Sequence, residues 1–209
     1  MTFGGIDEIM KICGITGGVG AGKSRVLKLI EEMTDCIIIR SDELAKSLEK
    51  KQEMCFLPLV KLLGEGILGS DGEIDPKKMA AEIFKAGAED KLEAVNKIVH
   101  PAVKERILAL IDEAKRENEV SYFFIEAALL IEEGYEKIVD EMWYVYAPKE
   151  IRAERLKATR GYSDEKIYEI MNNQLTEEEF RAHCDVVIDN AEDIDKTKEQ
   201  LKQILGMRY

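Results

Sequence analysis

Eight residues, GGVGAGKS from Gly17 to Ser24, restrict the fold of this chain more than any other stretch. They match the pattern G-x-x-x-x-G-K-[ST] in full. A loop of this kind wraps backbone N–H groups around phosphate oxygens, an approach that bulky side chains would obstruct. Gly17, Gly18, Gly20 and Gly22 supply the dihedral freedom, and Val19, Ala21 and Arg25 complete the segment expected to bind nucleotide. Lys23 is placed to reach the β- and γ-phosphates, and the Ser24 hydroxyl to ligate Mg²⁺. The pattern carries weight only between a strand and a helix. Here KICGIT (Lys11 to Thr16) is a compact apolar strand, and Ser24 to Met33 predicts a helix with Val26, Leu27, Ile30 and Met33 on one side. The start of that helix adds its positive dipole end to the anion site. A guanine-specific protein would need a segment such as NKxD. NKIV at Asn96 to Val99 lacks the aspartate, so ATP is the expected nucleotide.

The rest of the chain extends this start into a sheet. CIII (Cys36 to Ile39) is a second buried strand, with a short helix from Asp42 or Glu43. Strand, helix, strand in this rhythm signals parallel strands joined by crossovers. Residues 56–118 are mostly helical, and Asp75-Pro76 is a good helix start. That stretch is too long for a simple crossover, so it predicts a helical insertion grafted on the sheet. Strand pattern returns at YFFIEA (Tyr122 to Ala127) and MWYVYA (Met142 to Ala147). Pro148 opens a helix carrying Arg152, Arg155, Lys157 and Arg160, which Gly161-Tyr162 breaks. A hinged helical lid at about 150–175 is expected there. Thr176 with Glu179 fits a capping box, VVID (Val186 to Asp189) is a last strand, and a final helix ends near Leu205. The expected architecture is a three-layer α/β P-loop NTPase fold with a parallel central sheet. Its core comprises residues 11–55 and 119–209, the insertion residues 56–118, and a short leader residues 1–10.

Bulk properties exclude some partners. The 209 residues carry a net charge of −12, which disfavours broad binding to nucleic acid or anionic membranes. A few convergent cations can still make a local pocket for a polyanionic small molecule. The four cysteines, Cys13, Cys36, Cys55 and Cys184, form no CxxC pair and resemble neither a zinc site nor a disulfide framework. Free thiols suit a reducing cytosol. With no secretory signal and no apolar run near the ~20 residues that span a bilayer, a cytoplasmic protein is expected, a monomer being the first expectation with an oligomer left open.

For the second substrate, position offers candidates without deciding among their roles. Ligands of open α/β sheets collect at the carboxyl ends of strands. Asp42, just past the second strand, is either the base that takes the acceptor's proton or a carboxylate serving only the helix dipole. Glu126, at the end of the third strand, either orients magnesium waters or is simply solvated. Arg155 or Arg160 would bring positive charge to the migrating phosphoryl group. These features leave room for any small-molecule kinase of the fold, or for a nucleotide-binding protein without turnover.

From Lys11 to the C-terminal helix the chain resembles the dephospho-coenzyme A kinase family, relatives of the nucleoside monophosphate kinases. The matching segments occur in the family's order: GITGGVGAGKS, SDELAK, DGEIDPKKMAAEIF, NKIVHP, ALLIEEGY, RLKATRGYS, NNQ and DVVIDN. The resemblance implies ATP-dependent transfer to the 3′-hydroxyl of dephospho-coenzyme A, with Lys23 as loop lysine, Asp42 as catalytic aspartate and Arg155 as lid arginine. It also places His100 in the helical domain that helps bind the acceptor. Three positions depart from the family: Ala128 replaces a common proline, Arg25 a common threonine, and Arg40 the first aspartate of Asp-x-Asp. Arg40 lies two residues from Asp42, so in an extended segment they share a face. Arg40 either pairs with Asp42 or contacts a substrate phosphate. In both cases Arg40→Asp changes acceptor affinity or turnover in steady-state assays, and unchanged kinetics would rule out both roles.

Overall fold

The computed structural model describes residues 10–85 and 89–207. The strands are β1 (Lys11–Thr16), β2 (Cys36–Arg40), β3 (Tyr122–Glu126), β4 (Glu141–Tyr146) and β5 (Val186–Asp189). They form one parallel sheet in the order β2-β3-β1-β4-β5. β1 therefore lies in the middle. Ile12 pairs in register with Phe123 on one side, and Ile15 with Trp143 on the other. Parallel strands require crossover segments that cover both faces, and the run of apolar residues in each strand fits burial on both. On one face Cys13, Ile15, Phe124, Trp143, Val145 and Ile188 pack with Val26, Leu27 and Ile30 of α1 (Lys23–Met33) and Leu201 of α9 (Ile194–Ile204). Phe124 meets Trp143 edge to face at 5.3 Å between centroids. On the other face Tyr144 stacks on Phe180 of α8 (Glu177–His183) at 4.8 Å. Helices on both faces of the sheet make the expected three layers.

The described residues fall into two compact units, one within Met1–Ile38 and Asn118–Tyr209, the other within Ile39–Glu117. The boundary falls inside β2. The second unit holds α2 (Ser41–Leu48), α3 (Phe56–Leu63), α4 (Pro76–Ile83) and α5 (Glu89–Glu117), with α2, α3 and α4 packed on α5. Because α2 packs on α5, this unit starts earlier than the change of pattern at residue 56. Asp75 caps α4, its carboxylate accepting the N–H groups of Lys77 and Lys78 at 2.8 and 3.2 Å. α5 runs through Pro101, which cannot donate to the Lys97 carbonyl.

Local chemistry sets the remaining boundaries. α6 (Lys149–Arg160) stops at Gly161, whose φ of 62° is left-handed. Ser163 caps α7 (Asp164–Asn172), and Thr176 with Glu179 forms the expected capping box of α8. Of the expected leader, residues 1–9 lie outside the described residues, and Met10 is buried. No described helix is long and apolar enough to cross a membrane. All four cysteines are free thiols. Burial pushes Cys13 and Cys184 up to about 12 and Cys36 to about 11, and raises Cys55 as well.

Phe124 is fully buried where β1, β4 and α1 meet. Phe124→Ala is expected to lower unfolding free energy by about 3–5 kcal/mol in urea titration.

Candidate active site

The chain must turn from the end of β1 into α1 within six residues, and glycine makes that turn possible. Gly17 has φ 148°, and a Cβ there would stand 2.4 Å from the Val145 carbonyl oxygen of β4. Gly22 has φ 94° and caps α1; a Cβ there would meet the Asn190 amide nitrogen at 2.3 Å. α1 has no side-chain cap and no acidic residue in its first turn. Its leading N–H groups and positive dipole end are thus arranged for an anion. The Lys23 ammonium folds across the loop and donates to the Gly17 carbonyl at 2.7 Å. Ser24 and Arg25 are exposed on the first turn.

Side chains from distant segments hold the outside of the loop. The Ala21 carbonyl accepts from Arg155 Nη1 at 3.2 Å and from Asn190 Nδ2 at 2.7 Å. Arg155 Nη2 also donates to the Asn190 carbonyl at 2.7 Å. Asn190 is buried, and its Oδ1 accepts the Thr197 hydroxyl at 3.1 Å. Val19 is held from both sides: its N–H donates to Gln174 Oε1 at 3.0 Å, and its carbonyl accepts Arg152 Nε at 3.0 Å.

The basic helix α6 therefore splits. Arg152 and Arg155 face the loop. Lys157 instead pairs with Asp164 at 2.5 Å, and Arg160 lies over the Tyr162 ring at 5.9 Å. Of the two arginines considered for catalysis, the structure brings Arg155 to the loop and not Arg160. Burial, and then the nearby charge of Arg25, hold the Arg155 guanidinium below the usual arginine value.

The remaining candidates fall on other elements. Glu126 ends β3, in register with Ile15. Arg40, Asp42 and His100 belong to the helical unit. Arg40 ends β2, Asp42 is exposed in the first turn of α2, and His100 precedes Pro101 within α5. Among the described residues two buried hydroxyls, Thr16 at the end of β1 and Ser41 at the start of α2, have no hydrogen-bond partner, an arrangement that calls for a functional account. Among the described residues no group of three or more His, Cys, Asp and Glu could hold a metal. Mg²⁺ commonly takes phosphate oxygens and water with few protein ligands, so one hydroxyl such as that of Ser24 suits it. Sequence reasoning gave no role to Asn190, Gln174 or Arg152 at the loop. The first two do fall in DVVIDN and NNQ, segments that carried the family resemblance.

A family model described as dephospho-CoA kinase matches residues 11–196. The dephospho-CoA kinase of Aquifex aeolicus is 36% identical over 195 residues, 93% of this chain and 96% of that protein. Among solved structures, a Thermus thermophilus protein superposes with a TM-score of 0.77 at 28% identity, covering 96% of this chain and 98% of that one. The dephospho-CoA kinase of Campylobacter jejuni shares the fold, with a TM-score of 0.70 at 20% identity over 93% of this chain and 95% of that one.

The two leading glycines differ in what a methyl group would meet. At Gly17 it meets the Val145 backbone oxygen at 2.4 Å, and at Gly18 the Arg152 guanidinium at 2.4 Å. Gly17→Ala, where neither the backbone oxygen nor the left-handed φ can give way, should weaken ATP binding at least about tenfold in equilibrium titration.

Proposed function

Since the chain belongs to the dephospho-CoA kinase family and is an ATP-dependent kinase, we propose how its residues carry the ATP γ-phosphoryl group to the 3′-hydroxyl of dephospho-coenzyme A, the last step of coenzyme A synthesis. The loop from Gly17 to Arg25 holds the ATP phosphates on the uncapped end of α1. Lys23 exchanges its bond to the Gly17 carbonyl for the β- and γ-phosphates. The Ser24 hydroxyl would hold Mg²⁺, which when bound would supply charge neutralisation for the transferring phosphate.

The helical unit takes the acceptor, with His100 and Arg40 contacting it and Arg40 directed at a phosphate. Asp42 accepts the proton of the 3′-hydroxyl as that oxygen bonds to the γ-phosphorus. The bond from phosphorus to the bridging oxygen breaks, and ADP leaves with the electron pair. Arg155 has N–H groups beyond the two it spends on carbonyls, and these face the charge that develops on the migrating group. Residues 150–175 act as the lid, hinged beyond the part of α6 that Arg152 and Arg155 tie to the loop. The observation that carries this reading is the loop itself, with left-handed glycines, an uncapped α1 and Lys23 laid across it.

The test is magnesium- and ATP-dependent ADP release across dephospho-coenzyme A, adenosine, AMP, CMP and shikimate, with Lys23→Ala as the blank. Turnover confined to dephospho-coenzyme A is expected. Turnover on another acceptor would replace the substrate, and tight ATP binding with no turnover would remove the catalytic role. Asp42→Asn should lower kcat by ~10²–10⁴ while leaving ATP affinity in place.

A further inference from the structure

Val19, at the crest of the phosphate loop, lies between Gly18 and Gly20, and Gly20 has φ 80°. Such a crest has little torsional resistance of its own. The structure ties both of its backbone polar groups to side chains more than 130 residues away. The Val19 N–H bonds Gln174 Oε1, the Val19 carbonyl bonds Arg152 Nε, and Arg152 Nη2 closes the ring onto the same Gln174 oxygen at 3.1 Å. We propose that Arg152 and Gln174 are positioning residues that hold the loop crest in its phosphate-binding shape, with Arg152 adding a fixed positive charge behind it.

Three observations support this. First, Arg152 is 7% exposed, burial lowers its pKa, and its guanidinium bonds the Val19 carbonyl and the Gln174 amide oxygen and no carboxylate among the described residues. A buried cation without a carboxylate is costly, and here it lies against the part of the fold that takes a polyanion. Second, a Cβ on Gly18 would stand 2.4 Å from Arg152 Cζ, so the guanidinium packs directly on the loop backbone. Third, Gln174 sits in the short connection between α7 and α8, where its side chain's only hydrogen bonds among the described residues are those to Val19 and Arg152. Neither side chain needs to touch the reacting atoms. Both act through Val19, and they join the base of α6 and the end of α7 to the loop.

The inference rests on the loop binding ATP phosphates, and the experiment separates the two. Arg152→Met, Gln174→Leu and the double variant are assayed with ATP and dephospho-coenzyme A, alongside ATP titration without acceptor. Gln174 and Arg152 line a pocket with Tyr144, Tyr146 and Lys149, so a leucine at 174 has room even if the buried Arg152→Met variant folds poorly. Each single variant should raise the KM and Kd for ATP about tenfold, the scale of one charge-assisted hydrogen bond. kcat and the KM for dephospho-coenzyme A should shift by less than about threefold. Because the two side chains form one ring, the double variant should lose little more than either single one. An unchanged ATP affinity in Gln174→Leu overturns the inference. So do equal losses in kcat and both KM values, and so do penalties that multiply in the double variant. If the parent protein fails to phosphorylate dephospho-coenzyme A, the functional reading falls instead, and the ATP titrations alone still decide the role of the ring.

Discussion

A loop that turns its N–H groups toward an anion must turn its carbonyl groups toward protein, and each buried carbonyl needs a donor. The surroundings of the phosphate loop follow from that constraint. The Gly17 carbonyl takes the Lys23 ammonium, the Gly18 carbonyl the Ala21 N–H, and the Val19 carbonyl the Arg152 guanidinium. The Ala21 carbonyl takes Arg155 and Asn190, and the Gly22 carbonyl takes the N–H groups of Arg25 and Val26. Cationic donors predominate on the side-chain bonds, so the groups that satisfy the loop's backbone also bring positive charge behind it.

The strand order makes these donors available. β4 and β5 follow β1 on one side of the sheet, so the segments that leave their carboxyl ends emerge beside the loop. α6 follows β4 and carries Arg152 and Arg155, and Asn190 directly follows β5. Register matters as much as order. Thr16 pairs opposite Tyr144 and Tyr146 opposite Asp189, which puts the ends of the three strands close to one level. Gly17 passes within a methyl group's reach of the Val145 carbonyl for the same reason. Packing of Phe124, Trp143 and Ile188 against α1 and α9 holds the strands and the first helix in that relation.

Much of this was legible in the sequence because it depends on local chemistry. The glycine pattern, the Asp75 cap, the Gly161 stop and the Thr176–Glu179 box each involve residues within a few positions of one another, and each lies where the pattern puts it. The long-range partners were not legible. Four cations on α6 look alike in a linear reading; packing decides that Arg152 and Arg155, three residues apart and on one face, meet the loop while Arg160 meets Tyr162. Gln174 and Asn190 are ordinary polar residues until the fold brings them to Val19 and Ala21. The start of the helical unit was hidden for a related reason. α2 reads as a short helix after a strand, and only its packing on α5 assigns it to that unit.

The cysteines acquire a meaning from the substrate this family handles. Coenzyme A and its precursor end in a thiol, so a protein that binds them meets a reactive sulfur at every turnover. Thiol–disulfide exchange needs a thiolate on one partner. Burial raises the ionisation of Cys13, Cys36 and Cys184 to about 12, 11 and 12, so near neutral pH these sulfurs are almost wholly protonated and poor nucleophiles. The burial that places these sulfurs in the protein thus also disfavours the thiolate form that exchange with a substrate thiol would require.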